Sequence, residues 1–249
     1  IMLTGVVSVT FREKSVDEVI AIARVGGLDC IEWGSDVHVP AGDVATAART
    51  YEKTVAAGLS TPSYGSYYYL AGGKDFTPFL ESARALHALN IRVWGGDIAS
   101  DKLSTDERSA IVSDARRISN LAAEFGITIS IEFHPNSITD TCESTCALLD
   151  EVNCDNFMTY WQARLGISDA ENLEELSCLI KTGKLTNAHI YRYNEYSAQC
   201  LLADGQCALK DVFGTLQNDS DDHMAFIEFV KDGSDESFLS DCAVINALK

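Results

Sequence analysis

The stretch Ile127-Thr-Ile-Ser-Ile-Glu-Phe-His134 decides the fold class of this chain. Its odd positions carry isoleucine or phenylalanine, whereas its even positions carry Thr128, Ser130, Glu132 and His134. Apolar and polar residues that alternate with period two predict a β-strand with one apolar and one polar face. If the apolar face packs on helices, Glu132 and His134 point into the mouth of a barrel. A surface strand with one solvated face would show the same alternation, so the rest of the chain must decide between the two.

Eight strand-like segments alternate with amphipathic helical segments along the chain. The predicted strands lie at residues 5–9, 29–33, 60–64, 91–94, 127–134, 157–161, 188–191 and 225–229. The predicted helices lie at residues 15–24, 79–89, 105–125, 139–152, 171–181, 208–216 and 236–248, and the first begins with the capping pair Ser15 and Glu18. This alternation predicts an α/β fold, a parallel eight-stranded (β/α)₈ TIM barrel. No linker rich in Pro, Gly or Ser divides the chain, so residues 1–249 are expected to form a single TIM-barrel domain.

The composition is that of a protein with a large core and reduced thiols. The 249 residues are 46% hydrophobic, which matches the usual size and core of a TIM barrel. No run of about 18 apolar residues occurs, and the first residues lack the basic region of a signal peptide. The eight cysteines form no CxxC pair, and Cys142 and Cys146 lie one helical turn apart, a spacing that rarely forms a disulfide. We therefore expect a cytoplasmic protein.

The net charge of −18 excludes several classes of partner. Proteins that bind nucleic acid through its phosphates need a basic surface, because phosphate neutralisation supplies most of the affinity. We therefore expect neither nucleic acid nor an anionic membrane as a partner. A homo-oligomer is left open.

Polar side chains are concentrated where predicted strands five to eight end, which is where the active site of such a barrel lies. Alternation turns Glu132, Gln162 and Glu228 inward, and His189 lies on strand seven. A charged residue inside the apolar run Ala225-Phe-Ile-Glu-Phe-Val is costly unless it is paired or bound to a metal. Two carboxylates, an imidazole and an amide oxygen form an oxygen-rich donor set that suits Mn²⁺, Mg²⁺ or Co²⁺.

The chain resembles the sugar phosphate isomerase/epimerase family of the xylose-isomerase-like TIM barrel superfamily. The matching stretches are residues 31–43, 63–68, 91–94, 131–135, the strand around His189, and residues 227–232. Such proteins usually hold one divalent metal by a Glu, an Asp, a His and a Glu on strands five to eight. The resemblance carries these roles to Glu132, Gln162, His189 and Glu228. It implies one divalent metal ion, Mn²⁺, Mg²⁺ or Co²⁺ before Zn²⁺, with an affinity weakened by the neutral Gln162.

The resemblance implies a metal-dependent isomerase or epimerase that acts on a small ketose or polyol-derived sugar through an enediolate. Glu132 and Glu228 are the expected catalytic residues, one removing the proton beside the substrate carbonyl and the other returning a proton. Two alternatives stay open: a metal-dependent dehydratase of a keto-sugar or keto-inositol, and a non-catalytic sugar-binding barrel that has lost its metal. The abasic-site endonucleases of the superfamily rely on many histidines and a DNA-binding face. With five histidines and an acidic charge, this chain does not fit that branch.

Six residues near the strand ends are candidate substrate-binding residues: Glu32, His38, Tyr64, Arg92, Trp94 and His134. The aromatic side chains could form an apolar wall for a sugar ring, although packing alone would also explain them. His134 either contacts the substrate or orients Glu132. The guanidinium of Arg92 needs an anionic partner if it is buried, and that partner is either the substrate or Glu32.

We expect the substrate to be unphosphorylated. Phosphate sites in TIM barrels use glycine-rich loops after strands seven and eight, next to the start of a short helix. Residues 192–197 contain no glycine, and residues 231–236 contain one glycine but three acidic residues. These carboxylates would repel a phosphate dianion. A neutral sugar is therefore the expected substrate.

Overall fold

The strands pair edge to edge around a complete circle. A computed structural model describes residues 2–249, and every strand runs parallel to both of its neighbours. The order around the barrel follows the chain, and β8 closes onto β1. The strands are β1 (Leu3–Val7), β2 (Cys30–Gly34), β3 (Ser63–Tyr69), β4 (Asn90–Trp94), β5 (Thr128–Ile131), β6 (Phe157–Trp161), β7 (Leu185–Ile190) and β8 (Met224–Ile227). The predicted parallel eight-stranded TIM barrel is therefore confirmed.

A helix follows each strand. The helices are α1 (Val16–Val25), α2 (Val44–Ala56), α3 (Thr77–Ala85), α4 (Thr105–Ala123), α5 (Cys142–Val152), α6 (Asp169–Lys181), α7 (Gln206–Gln217) and α8 (Asp235–Asn246). The capping pair Ser15 and Glu18 starts α1 as predicted, and the same reciprocal hydrogen bonds start α4 and α6. Helix α2 was not among the helices predicted from the sequence. Its Asp43 cap accepts a hydrogen bond from the Thr46 N–H.

The large apolar core lies between the strands and the helices rather than inside the barrel. Trp33 of β2 belongs to this core, and its indole N–H donates to Thr54 Oγ1 of α2 at 3.2 Å. A second, small apolar cluster is separate from it and contains Val7, Val9, Cys30 and Phe226. Among the described residues, no helix is long and apolar enough to cross a bilayer.

Candidate active site

The four predicted metal ligands come together at the carboxyl ends of β5 to β8. Nδ1 of His189 lies 3.1 Å from Gln162 Oε1, 3.3 Å from Glu228 Oε2 and 4.0 Å from Glu132 Oε1. His189 lies within β7, whereas the other three each follow directly after a strand. All four side chains are buried. The inward alternation deduced from the sequence thus holds for Glu132, Gln162 and Glu228, and His189 of β7 joins them.

A buried ion-pair cluster lies next to these residues. Nε of Arg92 donates to Glu32 Oε1 at 2.7 Å, and its Nη1 donates to Glu132 Oε2. Glu32 is 0% and Arg92 1% exposed, so both are enclosed in the protein. Gly65 makes room for the guanidinium, because a Cβ at this position would lie 2.7 Å from Arg92 Nη2. The structure thus provides Glu32 as the partner that Arg92 requires, and it adds Glu132.

Tyr160 organises the barrel interior and was missing from the residues singled out in the sequence. Its hydroxyl donates to Glu32 Oε2 at 2.7 Å and accepts from the side-chain amides of Asn90 and Asn187 at 3.0 and 2.9 Å. Ser63 Oγ also donates to Glu32 Oε2, at 2.8 Å. Alternation in β6 was the available signal, because Tyr160 shares the inward face with Gln162.

The electrostatics of the cluster favour the ionised forms of Glu32 and Glu228 and the protonated form of His189. Burial alone would raise the pKa of Glu32, but the Arg92 guanidinium and His189 hold it well below its usual range. Burial also opposes ionisation of Glu228, yet attraction to His189 lowers the pKa of that carboxyl. Burial would lower the pKa of His189, whereas the Glu228 and Glu32 carboxylates raise it to about 10. Without a cation, His189 is therefore protonated at neutral pH.

These residues fit a divalent cation. Atoms of Glu132, His189 and Glu228 that can bind a metal all lie within 4.8 Å of one another, and Gln162 adds an amide oxygen. The carboxylates of Glu32, Glu132 and Glu228 carry three negative charges, and Arg92 carries one positive charge. When His189 is neutral, two negative charges therefore remain, and a divalent cation would balance them.

The unused nitrogen of His189 supports the same conclusion. Its Nε2 is buried without a hydrogen-bond partner and lies 3.5 Å from Glu32 Oε1. A metal-ligating histidine commonly directs its second nitrogen at a carboxylate, which fixes the ring. Glu32 is therefore placed to orient His189, rather than to contact a substrate as predicted.

An aromatic wall of four side chains, His134, Trp94, Tyr67 and Tyr69, lies near the mouth. The ring centroid of Trp94 is 4.5 Å from His134, 6.1 Å from Tyr67 and 5.5 Å from Tyr69. Each of the four is half-buried. Trp94 and His134 were predicted at the mouth, whereas the two tyrosines were not. The register between β3 and β4 shifts between Gly65 and Tyr69, so the alternation of β3 cannot be counted through to its end.

His38 and Tyr64 are both buried, and their polar atoms contact other groups of the protein. Tyr64 belongs to the outer core, and its hydroxyl donates to the Val39 carbonyl at 2.8 Å. Both ring nitrogens of His38 are engaged, by Ser8 Oγ at 3.1 Å and by the Lys14 carbonyl at 2.8 Å. Because their polar atoms have protein partners, these positions do not support the predicted substrate contacts. Arg92 is likewise enclosed by carboxylates and is not open to a substrate.

Among curated proteins, the chain is similar to a 3-dehydroshikimate dehydratase of Bacillus anthracis. The two are 26% identical over 186 residues, which are 68% of this chain and 66% of that protein, just under two thirds of its length. The crystal structure of the probable 3-DHS dehydratase of petrobactin synthesis from the same organism superposes with a TM-score of 0.83. That comparison covers 99% of each chain at 18% identity. No family model matches the chain.

Sugar epimerases are also among the structural neighbours. D-allulose 3-epimerase from Methylomonas, solved with D-allulose, has a TM-score of 0.72 at 17% identity, covering 99% of this chain and 96% of that one. The IolI protein, solved with a zinc atom, has a TM-score of 0.72 at 14% identity, covering 99% and 98%. At these identities the likeness establishes the fold. The chain therefore has the fold of the xylose-isomerase-like TIM barrels, as the resemblance predicted, and the enzymes it is similar to are a dehydratase and sugar epimerases.

Proposed function

We propose that this protein is a divalent-metal-dependent isomerase or epimerase of a small, unphosphorylated ketose or polyol-derived sugar. The observation that carries the proposal is the convergence of Glu132, Gln162, His189 and Glu228 at the mouth of the barrel. Mn²⁺, Mg²⁺ and Co²⁺ suit this oxygen-rich donor set, and Zn²⁺ is the next candidate. The neutral Gln162 makes the binding weaker than a fourth charged ligand would.

The two carboxylates supply the proton transfers. A divalent cation in this site would polarise the substrate carbonyl and acidify the adjacent C–H bond. Either Glu132 or Glu228 removes this proton, which gives an enediolate. The other carboxylate returns a proton to the opposite face in an epimerisation, or to the neighbouring carbon in an isomerisation.

The surrounding residues orient these two groups. Arg92 donates to Glu132, and the guanidinium is in turn fixed by Glu32. Burial of the cluster keeps water away from the carboxylates, which strengthens their interaction with a charge that develops on the substrate. Trp94 and His134 offer an aromatic surface against which a sugar ring can pack.

The positions of two basic residues support an unphosphorylated substrate. Arg92 is enclosed with Glu32 and Glu132, and Arg192 pairs with Asp169 at 3.0 Å. Neither guanidinium is free to receive a phosphate dianion. The net charge of −18 also disfavours nucleic acid and anionic membranes, and the free thiols fit a reducing cytoplasm.

Deuterium exchange tests the proposed reaction. The protein, loaded with Mn²⁺ in heavy water, is incubated with a panel of neutral ketoses, and each sugar is analysed by mass spectrometry and NMR. We expect deuterium at the carbon beside the carbonyl, and we expect the Glu228→Gln variant to lose this exchange while retaining its fold by circular dichroism. If the folded, metal-loaded protein exchanges with none of the sugars, the proposal is wrong.

A metal-dependent dehydratase is the second candidate. The 26% identical relative is a dehydratase, and the structural neighbour with a TM-score of 0.83 is a probable dehydratase. The same proton abstraction followed by loss of a β-hydroxyl would give dehydration instead of reprotonation. Elimination of water from 3-dehydroshikimate leads to an aromatic product, so a rise in ultraviolet absorbance distinguishes it. If no metal binds even after Mn²⁺ is added, the non-catalytic sugar-binding barrel is favoured instead.

A further inference from the structure

Three cysteine side chains meet on the helical layer outside the barrel. Cys142 and Cys146 lie one turn apart on α5, and Cys178 lies on the neighbouring helix α6. Their sulfur atoms are all within 4.8 Å of one another, and Cys142 Sγ is 3.9 Å from Cys146 Sγ. These thiols have no part in the candidate active site, whose ligands are carboxylate, amide and imidazole groups.

The spacing of the sulfur atoms matches that of a metal thiolate. With zinc–sulfur bonds of about 2.3 Å, two sulfurs on one ion are separated by roughly 3.8 Å in tetrahedral and roughly 4.0 Å in trigonal geometry. The 3.9 Å separation of Cys142 and Cys146 falls between these values. The third sulfur, Cys178 Sγ, lies within 4.8 Å of both.

A disulfide is a poorer use of this cluster. Residues one turn apart on a helix have Cβ atoms about 5–6 Å apart, whereas a disulfide needs about 3.5–4.5 Å. Cys142 and Cys146 therefore cannot be bridged without distortion of α5. Burial raises the pKa of both thiols, which makes them poor nucleophiles towards oxidants in the metal-free protein.

The surroundings allow an ion to enter and be held. Cys178 is exposed, so the cluster is open to solvent on the side of α6. Cys142 is the first residue of α5, and because burial raises the pKa of its thiol in the metal-free protein, the thiol would lose its proton only on binding the ion. The remaining coordination position would be filled by water.

We propose that Cys142, Cys146 and Cys178 form a site for Zn²⁺, separate from the metal site of the barrel. The ion links α5 to α6 and thereby stabilises the contact between these two helices. Thiolate sulfur selects Zn²⁺ over the hard cations that suit the barrel site, so the two sites take different metals. The proposal does not depend on the enzymatic reaction.

Titration of the reduced chain with Co²⁺ tests the site, because thiolate-to-cobalt charge transfer gives a near-ultraviolet absorbance band. Because the barrel site also suits Co²⁺, we expect the band to saturate by about two equivalents in the wild type and to be removed by added Zn²⁺. The Cys146→Ser variant should lose the band, or bind at least about tenfold more weakly. Cys207→Ser, which removes an exposed thiol elsewhere, should keep it, and Glu228→Gln should keep it as well. Circular dichroism confirms that each variant is folded.

Four results would overturn the proposal. One is the absence of the band in the wild-type protein, and the second is a band that survives Cys146→Ser unchanged. The third is protein purified without reductant that has lost two of its eight titratable thiols, with Cys178 disulfide-bonded to α5 by mass spectrometry. In the Glu228→Gln background, which weakens the barrel site, Zn²⁺ should also raise the melting temperature, and adding Cys146→Ser should abolish this rise. The fourth result is loss of the rise in Glu228→Gln itself, which would assign the ion to the barrel site instead.

Discussion

Replacement of Arg92 by methionine should strongly destabilise the protein. Arg92 is enclosed between Glu32 and Glu132, and the side chains of all three residues are at most 2% exposed. The Arg92→Met variant keeps an unbranched side chain at this position but removes the positive charge. It therefore leaves the buried carboxylates of Glu32 and Glu132 without the guanidinium that pairs with both of them.

The size of the effect follows from the ion-pair geometry. At the 2.7 Å between Arg92 Nε and Glu32 Oε1, the Coulomb attraction is about 6 kcal/mol for an effective dielectric constant of about 20. Desolvation of the charges offsets part of this gain, and removal of one member of a buried pair usually costs about 3–5 kcal/mol. For a chain of this size, that loss lowers the melting temperature by roughly 6–20 °C.

Calorimetry of the metal-free proteins at pH 7 measures the change. Arg12→Met is the matched control, because Arg12 pairs with Asp36 at 2.6 Å but is 46% exposed. An exposed pair contributes about 1 kcal/mol or less, so the control should melt within a few degrees of the wild type. A melting temperature of Arg92→Met equal to that of the control would refute the assigned role of the buried pair.

Three further predictions concern charge. Gln162→Glu should bind Mn²⁺ at least about tenfold more tightly by isothermal titration calorimetry, because it adds a charged ligand; an unchanged affinity would remove residue 162 from the metal site. Because the pKa of His189 is raised to about 10 and a metal needs the neutral imidazole, the Mn²⁺ dissociation constant should fall about tenfold per pH unit between pH 7 and 9; a flat profile would contradict this. Burial raises the pKa of Asp241 to about 6, so its ionisation favours the unfolded state as the pH rises from about 4 through 6. Asp241→Asn should therefore gain up to about 3 kcal/mol relative to the wild type between pH 4 and 7 in urea unfolding, and no gain would indicate an ordinary carboxyl.

The sequence predicted the barrel, and it predicted that Glu132, Gln162 and Glu228 face inward, because both follow from simple alternation. Strand β5 alternates without interruption, and Glu132 continues its inward face by one residue. The same count places Gln162 after β6 and Glu228 after β8. Regular strands thus allow the inward residues to be identified at the very edge where the site lies.

The side chains that line the mouth were harder to predict, because irregular backbone positions them. His38 lies in the segment between β2 and α2, where no periodicity shows that its ring faces Ser8 and Lys14. The irregular end of β3 brings Tyr67 and Tyr69 to the aromatic wall. Tyr64 lies in the regular part of β3 between Ser63 and Gly65, which face into the barrel. Alternation therefore places the Tyr64 ring on the outer face, and this position could have been predicted correctly.

The hydrogen bonds around Tyr160 also limit how the barrel can be assembled. A strand that slips by one residue turns its apolar side chains inward, but a slip of two residues keeps every side chain on its own face. Apolar packing alone therefore discriminates only weakly against a slip of two residues. The contacts of Tyr160 with Asn90, Asn187 and Glu32 join β6 to three other strands, and a two-residue slip would break them and leave buried polar groups unpaired. The polar interior thus acts as a register lock, which selects one alignment of the strands from several that bury the same apolar surface.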